Sequence, residues 1–266
     1  MNRKIVWILV SCAGLTSLFT FQNCGMMKSS DPIEKALTSN NPNSPANTTS
    51  TPSASLTYCS SILGAQPSVP TRVLFVIDQS GSNVGSTSFP GTDKDKQLRE
   101  KAIDDCLSVY GQNANVSWGF ITFQAGSAIA VINSGQALLP IFGGTSVLSA
   151  AISYFKTLND AGTTPYKAAF AMAAKAITDD VSAPANTRYV IIFVSDGLPS
   201  DYGTPVPNAT VNADVMALLS LKSAGVISLN TIVYGSPAAG SGADAAALLS
   251  SMASVGGGQF FNWTTP

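Results

Sequence analysis

Three short stretches of this chain end apolar runs or open a helical pattern, and their side chains carry hydroxyls and carboxylates. Val73–Ile77 runs into Asp78-Gln79-Ser80-Gly81-Ser82, Gly162-Thr163-Thr164-Pro165 opens a helical pattern, and Val190–Val194 runs into Ser195-Asp196-Gly197. Asp78, Ser80, Ser82, Thr164 and Asp196 offer only oxygen donors. Such donors suit Mg²⁺, Mn²⁺ or Ca²⁺ and suit zinc or copper poorly. The sequence has no His, which excludes imidazole sites. Mg²⁺ takes one or two carboxylates and keeps several waters. Two Asp against three neutral hydroxyls match that habit and leave an ion electrophilic, able to accept a carboxylate from outside. The set predicts binding through Ser80, Ser82 and Thr164, with Asp78 and Asp196 acting largely through water.

The elements that must position these side chains alternate along the chain. Strands are expected near 72–78, 115–124, 128–133, 188–195, 226–234 and 258–263, and helices near 94–110, 145–159, 165–179, 209–224 and 242–255. Ala169, Met172, Ala173, Ala176 and Ile177 fall at helical spacing, as do Val215, Leu218 and Leu219 ahead of Gly225, a helix terminator by type. The uninterrupted apolar strands 73–77 and 190–194 read as central and covered on both faces. The alternation implies an α/β fold with a doubly wound, mostly parallel sheet. The segments 116–123 and 128–132 are close enough for a hairpin, which makes the second an antiparallel edge strand. Ligands of open α/β sheets bind beyond the carboxyl ends of the strands at the switch point, where Asp78 and Asp196 are expected.

In order and in context, these stretches resemble the von Willebrand factor type A family. Its metal-ion-dependent adhesion site reads Asp-x-Ser-x-Ser, a Thr in a Gly-Thr loop, and Asp-Gly after a buried strand. Asp78-Gln79-Ser80-Gly81-Ser82 and Ser195-Asp196-Gly197 match the first and third elements. The middle element offers Thr163 and Thr164; the likeness of Gly162-Thr163-Thr164-Pro165 to a bacterial Gly-Gly-Thr-Pro form assigns Thr164, with Thr163 the alternate. The resemblance covers roughly residues 70–263 and implies a protein-binding module in which an acidic side chain of a protein partner completes the metal. The segment Asn83–Asp93, with Phe89-Pro90-Gly91, lengthens the usual gap after the first motif. It reads either as part of a partner-binding rim or as a neutral surface insertion.

The start of the chain reads as an export signal. Arg3 and Lys4 precede an apolar stretch from Ile5 to Phe21, and Cys24-Gly25 follows. This is similar to a bacterial lipoprotein signal over residues 1–23, with Cys24 the lipidated residue. Leu9-Val10-Ser11-Cys12 matches the usual trio better than Phe21-Gln22-Asn23 but leaves a short apolar core. Gly25 in place of Asp points, by resemblance, to the outer membrane. Residues 24–56 read as a lipidated N-terminus and a linker rich in Ser, Thr, Asn and Pro, and residues 57–266 as the domain. With Cys24 acylated and Cys12 removed, Cys59 and Cys106 remain, and an even pair in an exported chain predicts a disulfide.

Charge and composition narrow the function classes. The 266 residues are 45% hydrophobic and 11% charged, with net charge −1. Removing residues 1–23 takes away two cations and brings the charge to −3. No basic stripe is present, so no nucleic-acid partner is expected, and the membrane is expected to be touched through the lipid anchor only. A Ser hydrolase needs a base, and there is no His and no Gly-x-Ser-x-Gly. A phosphohydrolase of the strand-end Asp type needs a second acid where Ser80 stands. We therefore expect a binding module of the cell envelope and not an enzyme; the alternative is a structural subunit whose metal only holds the loops together.

Overall fold

The computed structural model describes residues 58–263, apart from 88, 133–134, 138–141 and 236–241. The expected lipidation at Cys24, the alternate Cys12 and the linker lie outside the described residues. Six α-helices are described: α1 (Tyr58–Leu63), α2 (Gln97–Tyr110), α3 (Thr145–Thr157), α4 (Tyr166–Thr178), α5 (Asn208–Leu219) and α6 (Gly242–Val255). Seven strands accompany them: β1 (Thr71–Asp78), β2 (Val116–Gln124), β3 (Ser127–Ile132), β4 (Gly135–Ala137), β5 (Arg188–Ser195), β6 (Ile227–Tyr234) and β7 (Gly257–Trp263). They form one sheet in the order β4-β3-β2-β1-β5-β6-β7.

The central strands are apolar without interruption because both of their faces are covered. Side chains alternate along β1, so Val73, Phe75 and Ile77 join one core while Leu74 and Val76 join the other. The first core is closed by α1, α2 and α3, the second by α4, α5 and α6. All neighbouring pairs from β2 to β7 are parallel. Strand β3 runs against β2, as the short hairpin implied. Outside β3 lies β4, pairing antiparallel with it. This strand escapes sequence reading because Gly-Gln-Ala is too short to show a period.

Two further details differ from expectation. Helix α5 stops at Leu219, five residues short, and Gly225 lies in the turn before β6 at φ +79°. Residues 220–225 are all exposed, so a longer helix would bury nothing more. Helix α1, a single turn and a half, is also too short for periodicity to reveal. Its Cys59 is bonded to Cys106 of α2, with the Cα atoms 5.2 Å apart, as the cysteine arithmetic predicts. Among the described residues no helix is long and apolar enough to cross a membrane.

The topology sets the place of the site. After β1 the chain crosses to β2 on one side, and after β5 it crosses to β6 on the other. Strands β1 and β5 are therefore the switch point, and they run side by side in register up to Ile77 and Val194. The residues that follow, Asp78 and Ser195-Asp196, meet in the crevice at their carboxyl ends.

Candidate metal centre

At that crevice, side chains of two loops form one continuous polar cluster. Asp78, fully buried, accepts from the Ser80 backbone N–H at 2.7 Å through Oδ1 and from the Ser195 hydroxyl at 2.5 Å through Oδ2. Ser80 and Ser82 face each other at 2.9 Å between their Oγ atoms. Ser82 Oγ in turn donates to Asp196 Oδ1 at 3.0 Å. Four of the five residues singled out in the sequence are thus joined by direct hydrogen bonds.

The fifth, Thr164, is brought alongside by its backbone. Its N–H donates to Ser200 Oγ at 3.1 Å and its carbonyl accepts from Ser200 N–H at 3.0 Å, on the loop that follows Asp196. The same turn is tied to the first motif where Gly81 N–H donates to Gly162 O at 3.0 Å and Ala161 N–H to Gln79 O at 3.0 Å. Thr164 is buried, whereas Thr163 is exposed and its carbonyl is taken by Ala125 N–H at 3.1 Å.

Three residues were not assigned roles from the sequence. Ser195 stands within a quoted motif, and its hydroxyl orients Asp78. Thr92, from the lengthened segment after the first motif, donates its hydroxyl to Asp196 Oδ2. Arg99 lies beneath the site and is completely buried. It donates to the Asp78 carbonyl at 2.9 Å, to both Asp160 carboxylate oxygens at 2.8 Å, to Asp93 Oδ2 at 2.9 Å and to the Asp93 carbonyl at 2.8 Å. Five hydrogen bonds match the five N–H donors of a guanidinium. The signal was present: Arg99 falls on the same helical stripe as buried Ala102, Ile103, Cys106 and Tyr110, where a cation stands out.

The electrostatics follow from this arrangement. Burial, and then the neighbouring Asp196 charge, push the Asp78 carboxyl up to about 7, while hydrogen bonds from Ser195 and Ser80 oppose the rise. Burial pushes Asp196 up as well, opposed by Thr92, Ser82 and the more distant Arg99. The Arg99 charge is committed to Asp93 and Asp160. Two buried carboxylates therefore share a chain of hydroxyls, and among the described residues no cation forms an ion pair with either. Among the described residues no three His, Cys, Asp or Glu gather as a metal cluster. The donor set is hydroxyl-rich, and its unmet negative charge fits a hard divalent ion.

No protein-family model and no curated protein matches the sequence. Solved structures do. A variant of the PilB minor pilin of Streptococcus sanguinis superposes with a TM-score of 0.51 at 15% identity, covering 74% of this chain and 57% of the pilin. A von Willebrand factor type A protein from Catenulispora acidiphila gives 0.50 at 18% identity, covering 75% and 39%. The fold is that of a von Willebrand factor type A domain. The pilus adhesin SpaC from Lactobacillus rhamnosus GG gives 0.51 at 13% identity, covering 74% and 29%. This chain thus spans 57% or less of the length of each of these three proteins. Within this fold the loops carrying Asp78 and Asp196 leave the carboxyl ends of β1 and β5, and the turn carrying Thr164 is hydrogen-bonded to both.

Proposed function

We propose that the domain is a metal-dependent protein-binding module of the cell envelope. The observation that carries this reading is the pair of buried carboxylates, Asp78 and Asp196, linked through Ser80 and Ser82, with neither carboxylate in an ion pair with a described cation. Ser80, Ser82 and Thr164 would hold the ion through neutral oxygens. Asp78, oriented by Ser195 and the Ser80 N–H, and Asp196, oriented by Ser82 and Thr92, would bind it largely through water. A bound Mg²⁺, or Mn²⁺ or Ca²⁺, supplies a positive centre whose charge the hydroxyls do not satisfy. A carboxylate of a protein partner is the ligand that such a centre attracts.

We favour binding over catalysis because the Ser195 and Ser82 hydroxyls are engaged in orienting Asp78 and Asp196 and the sequence has no His to act as a base. A pilin and a pilus adhesin among the structural relatives, together with the disulfide, support a place outside the cytoplasm. Cys24 would anchor the chain as an outer-membrane lipoprotein, with residues 24–56 as the tether. The second reading, a structural metal, draws on the way Ser82 and Thr92 already join the two loops through Asp196.

Titration calorimetry tests the metal assignment. Wild-type protein stripped with chelator is expected to bind Mg²⁺ or Mn²⁺ at one site, and Asp78→Ala and Asp196→Ala are each expected to lose that binding. Wild-type affinity in either variant would remove the residue, and with it the site, from the account.

A further inference from the structure

The segment Asn83–Asp93 folds back on itself at the edge of the site. Ser86 and Phe89 form a bridge, Thr92 N–H donates to Ser82 O at 3.2 Å, and Asp93 N–H donates to Asn83 O at 3.3 Å. Gly91 makes the return possible at φ +80°, where an added Cβ would lie 2.5 Å from Asn83 O. Gly235, just past the end of β6, leaves the space that Thr92 fills: a Cβ there would lie 2.7 Å from Thr92 Cβ. The next residue, Asp93, is locked by Arg99 and accepts from the Leu98 and Arg99 N–H groups at 3.0 and 3.1 Å. Thr92 is therefore held from both sides by backbone and packing.

Its hydroxyl has one proton and three acceptors within reach. These are Asp196 Oδ2, Asn83 Oδ1 at 3.3 Å and Ser82 O at 3.5 Å. Asn83 Oδ1 is already served by the Tyr234 hydroxyl at 2.7 Å, and the carboxylate is the stronger acceptor. The proton goes to Asp196. Each oxygen of Asp196 then carries one hydroxyl, Ser82 on Oδ1 and Thr92 on Oδ2. A carboxylate has a broad terminal torsion, and two opposed donors fix it where one would not.

We infer that Thr92 is a positioning residue of the metal centre, delivered by the Asn83–Asp93 segment to hold the Asp196 carboxylate in its metal-facing orientation. The inference rests on the proposed metal site. It gives the lengthened segment a role beyond a partner-facing rim or a neutral insertion: it closes the centre.

The test is a Mg²⁺ titration of the full chain by calorimetry, comparing wild type with Thr92→Val and Thr92→Ser. Supporting groups of this kind are worth about 10–100-fold in metal affinity. Thr92→Val, which keeps shape and loses the hydroxyl, is expected to weaken Mg²⁺ by that factor, and Thr92→Ser is expected to bind within a few-fold of wild type. Thr92→Ala, which adds no bulk, reports the same loss should the valine variant not fold. Wild-type affinity in Thr92→Val, or a loss in Thr92→Ser that Thr92→Val does not share, would overturn the inference and leave the metal site standing. Absence of saturable Mg²⁺ binding by the wild type would overturn both.

Discussion

Replacing Arg99 with Met is expected to remove about 3–5 kcal/mol of stability, the range for breaking a buried ion pair by deleting one partner. The size comes from what is left behind. Arg99 is fully buried and its partners Asp93 and Asp160 are nearly so, with side-chain exposures of 4% and 2%. Met fills the volume between Phe155 and Tyr234, over whose rings the guanidinium sits at 5.5 and 6.0 Å. It cannot satisfy two carboxylates and two carbonyls. Arg99→Lys keeps the charge but not the planar fork, so it is expected to fall between the two. Urea unfolding of the three proteins measures this, and an Arg99→Met variant as stable as wild type would show that the network is not what holds the loops. The change should also reach the proposed metal centre, because Arg99 ties the Asp78 carbonyl to the segment carrying Thr92 and to the turn before Thr164.

Removing the disulfide by the double change Cys59→Ala and Cys106→Ala is expected to have a comparable effect. The bridge spans a sequence separation of 47 residues. In the chain-entropy model a loop of that length is worth about 4 kcal/mol. It also holds α1 in place, and a helix of six residues has no stability of its own. Tyr58 of α1 packs edge-on against Phe261 and Trp263 of β7, each with ring centroids 5.3 Å apart, so α1 covers the outermost strand on that side. The melting temperature is expected to drop by roughly 10 °C, from about 2–4 °C per kcal/mol for a domain of this size. An unchanged midpoint in the variant would mean that α1 is held by packing alone.

Legibility in the sequence followed the strength of local pattern. Strands β1 and β5 are continuous apolar runs, and both ended within a residue of expectation because burial on two faces leaves no room for polar residues. The motif residues were readable because three oxygen-rich stretches, each ordinary as a turn alone, come in the order and on the elements of one family pattern. What escaped was non-local or short. Thr92 is an unremarkable residue in a segment whose fold depends on Gly91 and on the gap at Gly235, far along the chain. Arg99 was visible as a cation on an apolar stripe, but its partners Asp93 and Asp160 lie on separate loops. Helix α1 and strand β4 were too short to carry a period. The early end of α5 was decided by exposure, to which helical spacing is blind.

The proposal that the metal serves adhesion is tested most directly by partner affinity. A protein captured from envelope extract in Mg²⁺ is re-bound to the purified chain in Mg²⁺ and in chelator, with the melting temperature followed alongside, for wild type and Thr164→Ala. The account predicts binding in Mg²⁺, its loss in chelator, and a larger loss of affinity than of melting temperature in Thr164→Ala. Equal affinity with and without metal, with only the melting temperature changed, would contradict it and leave the metal a structural clasp between loops.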